Sequence, residues 1–153
     1  MNLYLVQHGR AKAESDDPAR PLTAPGADDV GRVARYAVEE LGVRPARVVH
    51  SGKLRARQTA EIWGALVTVD VEQADALAPN DDPRAWVQRL KTETGDLLIV
   101  GHLPHLGRLA GLLLTGDVDR SVIGFRQGGL VGLERTDTGW QSWVVLPPRG
   151  SDG

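Results

Sequence analysis

Two short apolar runs, Leu3-Tyr4-Leu5-Val6 and Leu97-Leu98-Ile99-Val100, stop abruptly at a polar residue. Both endings join a histidine to a glycine, His8-Gly9 in the first and Gly101-His102 in the second. The runs are too short for helices and rich in strand formers, so they predict buried strands. Between and after them the period changes. Val30, Val33, Ala34, Ala37, Val38 and Leu41 recur at helical spacing, with Thr23 as N-cap, Pro25 in the first turn and Gly42 as the stop. Val48-Val49 predicts a second short strand, ending at His50-Ser51-Gly52. A helix is expected from about Leu54 to Leu66, burying Ile62, Trp63 and Leu66, and then a weak edge strand over 67–72. The loop 79–83 opens a helix through about Leu90. Another helix carries Leu106, Leu109, Ala110, Leu113 and Leu114 on one face and stops at Gly116. Period-two patterns over 121–134 and 139–146, with Thr136 to Gly139 as the turn, predict an antiparallel C-terminal hairpin. The ending, Pro147 to Gly153, reads as frayed. The alternation predicts an α/β three-layer sandwich in one domain spanning 1–153: a mostly parallel central sheet flanked by helices, plus the hairpin.

Composition narrows the function without naming it. The chain has 153 residues, 41% apolar and 25% charged, which suits a domain with a proper core. A net charge of −2 gives no polyanion-binding surface, so nucleic acid is not an expected partner. With no cysteine, disulfides, thiolate metal sites and a cysteine nucleophile are excluded. No apolar run approaches the ~20 residues of a membrane span, and the chain enters its first strand without a leader pattern. The expectation is a cytoplasmic protein that does not engage membranes.

Parallel sheets place their chemistry at the carboxyl ends of the strands. If the strands at 3–6 and 97–100 are neighbours, His8 and His102 meet there. Arg20 lies in the loop after the first strand, and Arg55 in the first turn of a helix after the strand ending at Ser51. Helix N-termini carry positive partial charge and free N–H groups, which favours an anion. Two imidazoles and two guanidiniums at one edge repel one another unless something negative sits among them. A phosphoryl group fits, because arginine forks match its oxygens.

At these residues the chain resembles the histidine phosphatase (phosphoglycerate-mutase-like) superfamily, and within it the short SixA-type phosphohistidine phosphatases. The matching segments are Leu5 to Gly9, Arg20-Pro21-Leu22-Thr23-Ala24-Pro25-Gly26, Ser51 to Thr59 and Val100 to Pro104. The ending, Gly128 to Leu133 and Leu146 to Arg149, is also similar. The resemblance implies a nucleophilic His8, a second histidine at His102, and Arg20 and Arg55 around the phosphate, with Gln7 and Gly9 beside it. It implies a covalent phosphohistidine intermediate, no cofactor, no metal, and a phosphohistidine-bearing protein or another phosphorylated substrate as partner. His8 must be neutral to attack, and Arg20 and Arg55 disfavour its imidazolium. One position departs from the signature: Gln7 stands where the family has arginine, keeping a donor but losing the charge. A small-molecule phosphomonoesterase and a non-catalytic phosphoryl-binding module are the alternatives.

Other residues have plainer readings. Arg57 lies about 200° round the helix from Arg55 and is set to pair with Glu61. Asp81 is a candidate acid, because acids in longer relatives come from the corresponding loop, whereas Asp82 before Pro83 reads as an N-cap. His102 and His105 have metal-like spacing but no cysteine or carboxylate to complete a zinc site, so His105 reads as a first-turn structural residue. His50 suits either a pocket wall or a strand end. The tryptophans read as packing. Short connections leave no inserted segment over the site, which favours a phosphate displayed on a protein surface.

Overall fold

The computed structural model describes residues 1–148, among which six strands form one sheet in the order β3-β2-β4-β1-β5-β6. The elements run β1 (Asn2–Gln7), α1 (Ala24–Leu41), β2 (Arg47–His50), α2 (Leu54–Val67) and β3 (Val71–Gln73). Then follow α3 (Arg84–Leu90), β4 (Leu97–Gly101), α4 (His105–Thr115), β5 (Leu130–Thr136) and β6 (Gly139–Leu146). The first four strands are parallel, while β5 runs antiparallel to β1 and β6 antiparallel to β5. This is the expected mixed α/β sandwich with its C-terminal hairpin.

Alternation along the strands sorts the core into two layers. Tyr4, Val6, Val48, Leu98 and Val100 pack with Val30, Val33, Ala34 and Trp63, which belong to α1 and α2. Leu3, Leu5, Val49, Leu97 and Ile99 pack with Trp86, Leu90, Leu106 and Leu109, from α3 and α4. Trp63 and Trp86 are fully buried, whereas Trp143 on β6 is exposed and meets Tyr4 edge-on. Thr23 caps α1 by accepting the Gly26 N–H at 3.0 Å, and Gly42 ends it at φ 70°. Such a cap is worth about 1 kcal/mol.

Two expectations need correction. The alternation over 121–129 does not form a strand, and β5 begins only at Leu130. Ile123 and Phe125 instead lie against the α3/α4 side of the core, so a loop laid over apolar side chains mimics the strand period. Gly128 then turns the chain at φ 80°. The weak alternation at 67–72 is also mostly not strand. Val67 is the last residue of α2, Thr68 turns at φ 60°, and only Val71–Gln73 pairs, as the expected edge. The last five residues of the ending expected to fray, 149–153, lie outside the described residues, Arg149 of the resemblance among them.

Candidate functional site

β1 and β4 are sheet neighbours with Gln7 opposite Gly101, and β2 lies beside β4 with His50 opposite Val100. Their carboxyl ends therefore fall level, and the residues just beyond them, His8, Ser51 and His102, gather at one edge. The His8 and His102 rings stand 5.1 Å apart between centroids, tilted by 50°. Both side chains are buried.

The backbone around His8 is held on every side. Its N–H donates to the Gly101 carbonyl at 3.1 Å, and Gly128 donates to the carbonyls of Gln7 at 2.9 Å and His8 at 3.2 Å. The Gly9 N–H donates to Thr59 Oγ1 at 3.0 Å, and that hydroxyl donates to the Arg55 carbonyl one turn earlier at 2.8 Å. Gly9 has no room for a side chain, since a Cβ would sit 2.8 Å from Val30 Cγ2. Thr59 thus couples the β1 loop to the helix that carries Arg55.

The His8 ring is fixed in one tautomer. Nδ1 lies 2.8 Å from the Gly9 carbonyl oxygen. A carbonyl only accepts, so Nδ1 carries the proton and Nε2 keeps a free lone pair. Burial lowers the pKa of His8 and the nearby Arg55 and Arg20 lower it further, against the opposing pull of the Gly9 carbonyl. His102 is pushed down to about 3, first by burial and then by His8, Arg55, Lys53 and His105. Its Nε2 meets Ser51 Oγ at 2.6 Å, while its Nδ1 is buried with no hydrogen-bond partner among the described residues.

Arg55 projects from the first turn of α2, and its Nε is buried with no hydrogen-bond partner among the described residues. Burial and the charge of Arg20 lower its pKa. Arg20 adopts φ 52°, an unfavourable left-handed backbone for a side chain of its size. The conformation is fixed by its N–H donating to the Asp17 carbonyl at 2.9 Å and its Nε donating to the Lys12 carbonyl at 3.1 Å. Gln58 accepts the Leu22 N–H at 2.8 Å, fastening the Arg20 loop to α2. Arg55 and Arg20 thus stand close enough to act on His8 electrostatically, with the His102 ring beside it. Gln7 is buried at the end of β1, and its side-chain amide makes no hydrogen bond among the described residues.

Other candidates serve elsewhere. Asp81 accepts the Ala78 N–H at 2.9 Å, closing the turn before α3, and its field reaches His105 rather than His8. Pro83, not Asp82, stands at the N-cap of α3, although Asp82 accepts the Arg84 N–H at 3.0 Å. Asp82 thus caps the helix from one residue before the N-cap position, because Pro83 has no side-chain acceptor. His105 opens α4 fully buried, as the structural reading holds. His50 accepts the Gly52 N–H at 3.0 Å and closes the strand-end turn. Arg57 pairs with Glu61 at 3.3 Å. No group of three or more potential metal ligands gathers among the described residues. In the sequence, Gln58 and Thr59 stand out only as part of a matching segment. Their signal was positional, since they follow Arg55 by three and four residues and share its helix face.

No family model matches the chain. It is 32% identical to the phosphohistidine phosphatase SixA of Escherichia coli strain K12, over 96% of this chain and 94% of that protein. The chain belongs to the SixA family of histidine phosphatases. It is also 33% identical to an uncharacterised protein of Picosynechococcus, over 87% of this chain and 84% of the relative. A solved SixA structure complexed with tungstate superposes with a TM-score of 0.83 at 26% identity, covering 97% of both chains. The SixA-type fold thus extends across essentially the whole chain. No helix among the described residues is long and apolar enough to cross a membrane.

Proposed function

We propose that this chain removes phosphate from phosphohistidine on a protein, through a covalent phosphohistidine at His8. The observation that carries the reading is the 2.8 Å contact between His8 Nδ1 and the Gly9 carbonyl, which leaves Nε2 as a neutral nucleophile among cations. Nε2 attacks phosphorus, the P–N bond to the substrate imidazole breaks, and the electron pair leaves with that imidazole. The departing imidazole takes a proton from solvent; water then attacks the phosphorus and returns a proton to solvent, orthophosphate departs, and Nε2 recovers its lone pair. Arg20, Arg55 and His102 face the equatorial oxygens and stabilise the charge that builds there. An imidazole leaves readily once protonated, so the commitment of Asp81 to a turn is no obstacle. Tungstate, held by the related SixA structure, is a tetrahedral oxyanion of phosphate's shape, which supports the phosphoryl assignment. The side chains supply the positive charge themselves, so no metal takes part. Gln7 offers the phosphate a neutral amide and leaves the reaction slower than an arginine would.

Rapid mixing with phosphohistidine protein, followed by acid or alkaline quenching, tests this. The expected product is an alkali-stable, acid-labile phosphoenzyme, absent in His8→Ala, with activity indifferent to chelators and inhibited by vanadate. A phosphoenzyme persisting in His8→Ala overturns the nucleophile. Faster turnover of phosphorylated metabolites than of phosphohistidine protein overturns the substrate class.

A further inference from the structure

Beside the reaction centre lies a groove of about 460 Å³ that the chemistry above does not use. It begins at Leu103 and Pro104, which directly follow His102, and runs under the segment between α4 and β5. Leu103, Ile123 and Phe125 give it an apolar floor, while Arg108, Arg120 and Asp119 stand along it. Leu103 is 42% exposed, an apolar side chain left in water beside the phosphoryl site. Neither arginine forms an ion pair among the described residues. The field of Arg108 reaches Asp82, so Arg120 is the cation with the freer charge. Two guanidiniums against one carboxylate make this rim positive on a chain whose net charge is −2.

We propose that this groove is a specificity subsite for the polypeptide flanking the phosphohistidine, taking an apolar side chain on its floor and a carboxylate at Arg120. The inference rests on the phosphohistidine reading of the site and adds the sequence around the target. Contiguity supports it, because a histidine side chain seated at His8 brings its own chain neighbours to the Leu103 end of the groove. Charge supports it too, since the rim selects for acidic neighbours and against basic ones. The floor contributes affinity through apolar burial and the rim contributes discrimination.

Two synthetic peptides separate the possibilities, one with phosphohistidine flanked by leucine and glutamate, the other with serine and lysine in their place. The full chain should turn over the first with kcat/KM about fivefold or more above the second. Arg120→Glu should erase or reverse that preference, and Phe125→Ala should reduce it, with p-nitrophenyl phosphate hydrolysis unchanged in both. A melting transition for each variant confirms folding, and the exposed Arg120 remains decisive if Phe125→Ala does not fold. Equal turnover of the two peptides by the wild type, or a preference that survives Arg120→Glu, overturns the subsite and leaves the phosphohistidine reading standing. Hydrolysis of p-nitrophenyl phosphate with neither peptide turned over overturns the phosphohistidine reading itself, and the subsite with it.

Discussion

His8 and His102 occupy equivalent places at the ends of adjacent parallel strands, yet the fold grips them differently. His8 is held through Nδ1 by a backbone carbonyl, which can only accept. His102 is held through Nε2 by the Ser51 hydroxyl, which can donate or accept. The first arrangement dictates a tautomer and leaves a lone pair ready to attack. The second leaves the proton free to sit on either nitrogen, which suits a group that supports charge rather than forms a bond. The surroundings also differ, for four backbone hydrogen bonds brace the His8 segment through Gly101, Gly128 and Thr59. In the proposed reaction His8 has to be aimed as the nucleophile, whereas His102 needs only to be near and neutral.

Removing each ring gives the widest separation. His8→Ala should abolish the phosphoenzyme and reduce turnover to background. His102→Ala should keep the phosphoenzyme and lower kcat by about 10²–10³, the usual cost of one lost transition-state donor. Single-turnover kinetics on the two variants checks the contrast, and equal losses would mean the two histidines share one role.

The residues preceding the two histidines, Gln7 and Gly101, are partners in register. A cation at position 7 would enter the site from the end of β1. A charge-assisted hydrogen bond is worth about 1.5–3 kcal/mol, against about 0.5–1.5 for a neutral one. Gln7→Arg should therefore raise kcat/KM by about tenfold. It should also depress the His8 pKa further, moving the acid limb of the pH–rate profile to lower pH. If neither rate nor limb moves, residue 7 does not face the phosphate.

Ser51 sharpens the comparison at smaller scale. Ser51→Ala should lower kcat about fivefold, the worth of one neutral hydrogen bond, and Ser51→Thr should restore it. The ¹⁵N shifts of His102 should change in Ser51→Ala while those of His8 stay fixed. Movement of both rings would show that Ser51 braces the whole edge rather than one imidazole.

Much of this site was legible because it follows the strand period. Apolar runs that stop at His8 and His102 locate the carboxyl edge, and Arg55 in the next helix's first turn points to the same place. Backbone partners were not legible. Nothing in residue type shows that Gly128 donates to the Gln7 and His8 carbonyls, or that Thr59 takes the Gly9 N–H, because both depend on tertiary approach. The false strand over 121–129 has the same origin. Periodicity reports which side chains are covered, and Ile123 and Phe125 are partly covered by a core they cross without pairing.

The smallest effect is on stability and follows from burial common to both rings. His8, His50, His102 and His105 all have lowered pKa values, with burial as the leading cause in each. In the unfolded chain each takes up a proton near the ordinary value of about 6.5. In the folded chain each stays neutral to lower pH, down to about 3 for His102. Over that interval the unfolded state binds more protons, so stability rises with pH and is lost as pH falls below about 6.5. The melting temperature should drop by on the order of a few degrees from pH 7 to 5 in a buffer free of oxyanions. His102→Asn should flatten that slope by about one proton, since this ring is the most strongly displaced. His8→Asn should flatten it less, because the Gly9 carbonyl partly restores the protonated form of His8. A melting temperature constant over this range, or one that rises on acidification, would mean that the buried imidazoles take up protons in the fold as readily as outside it.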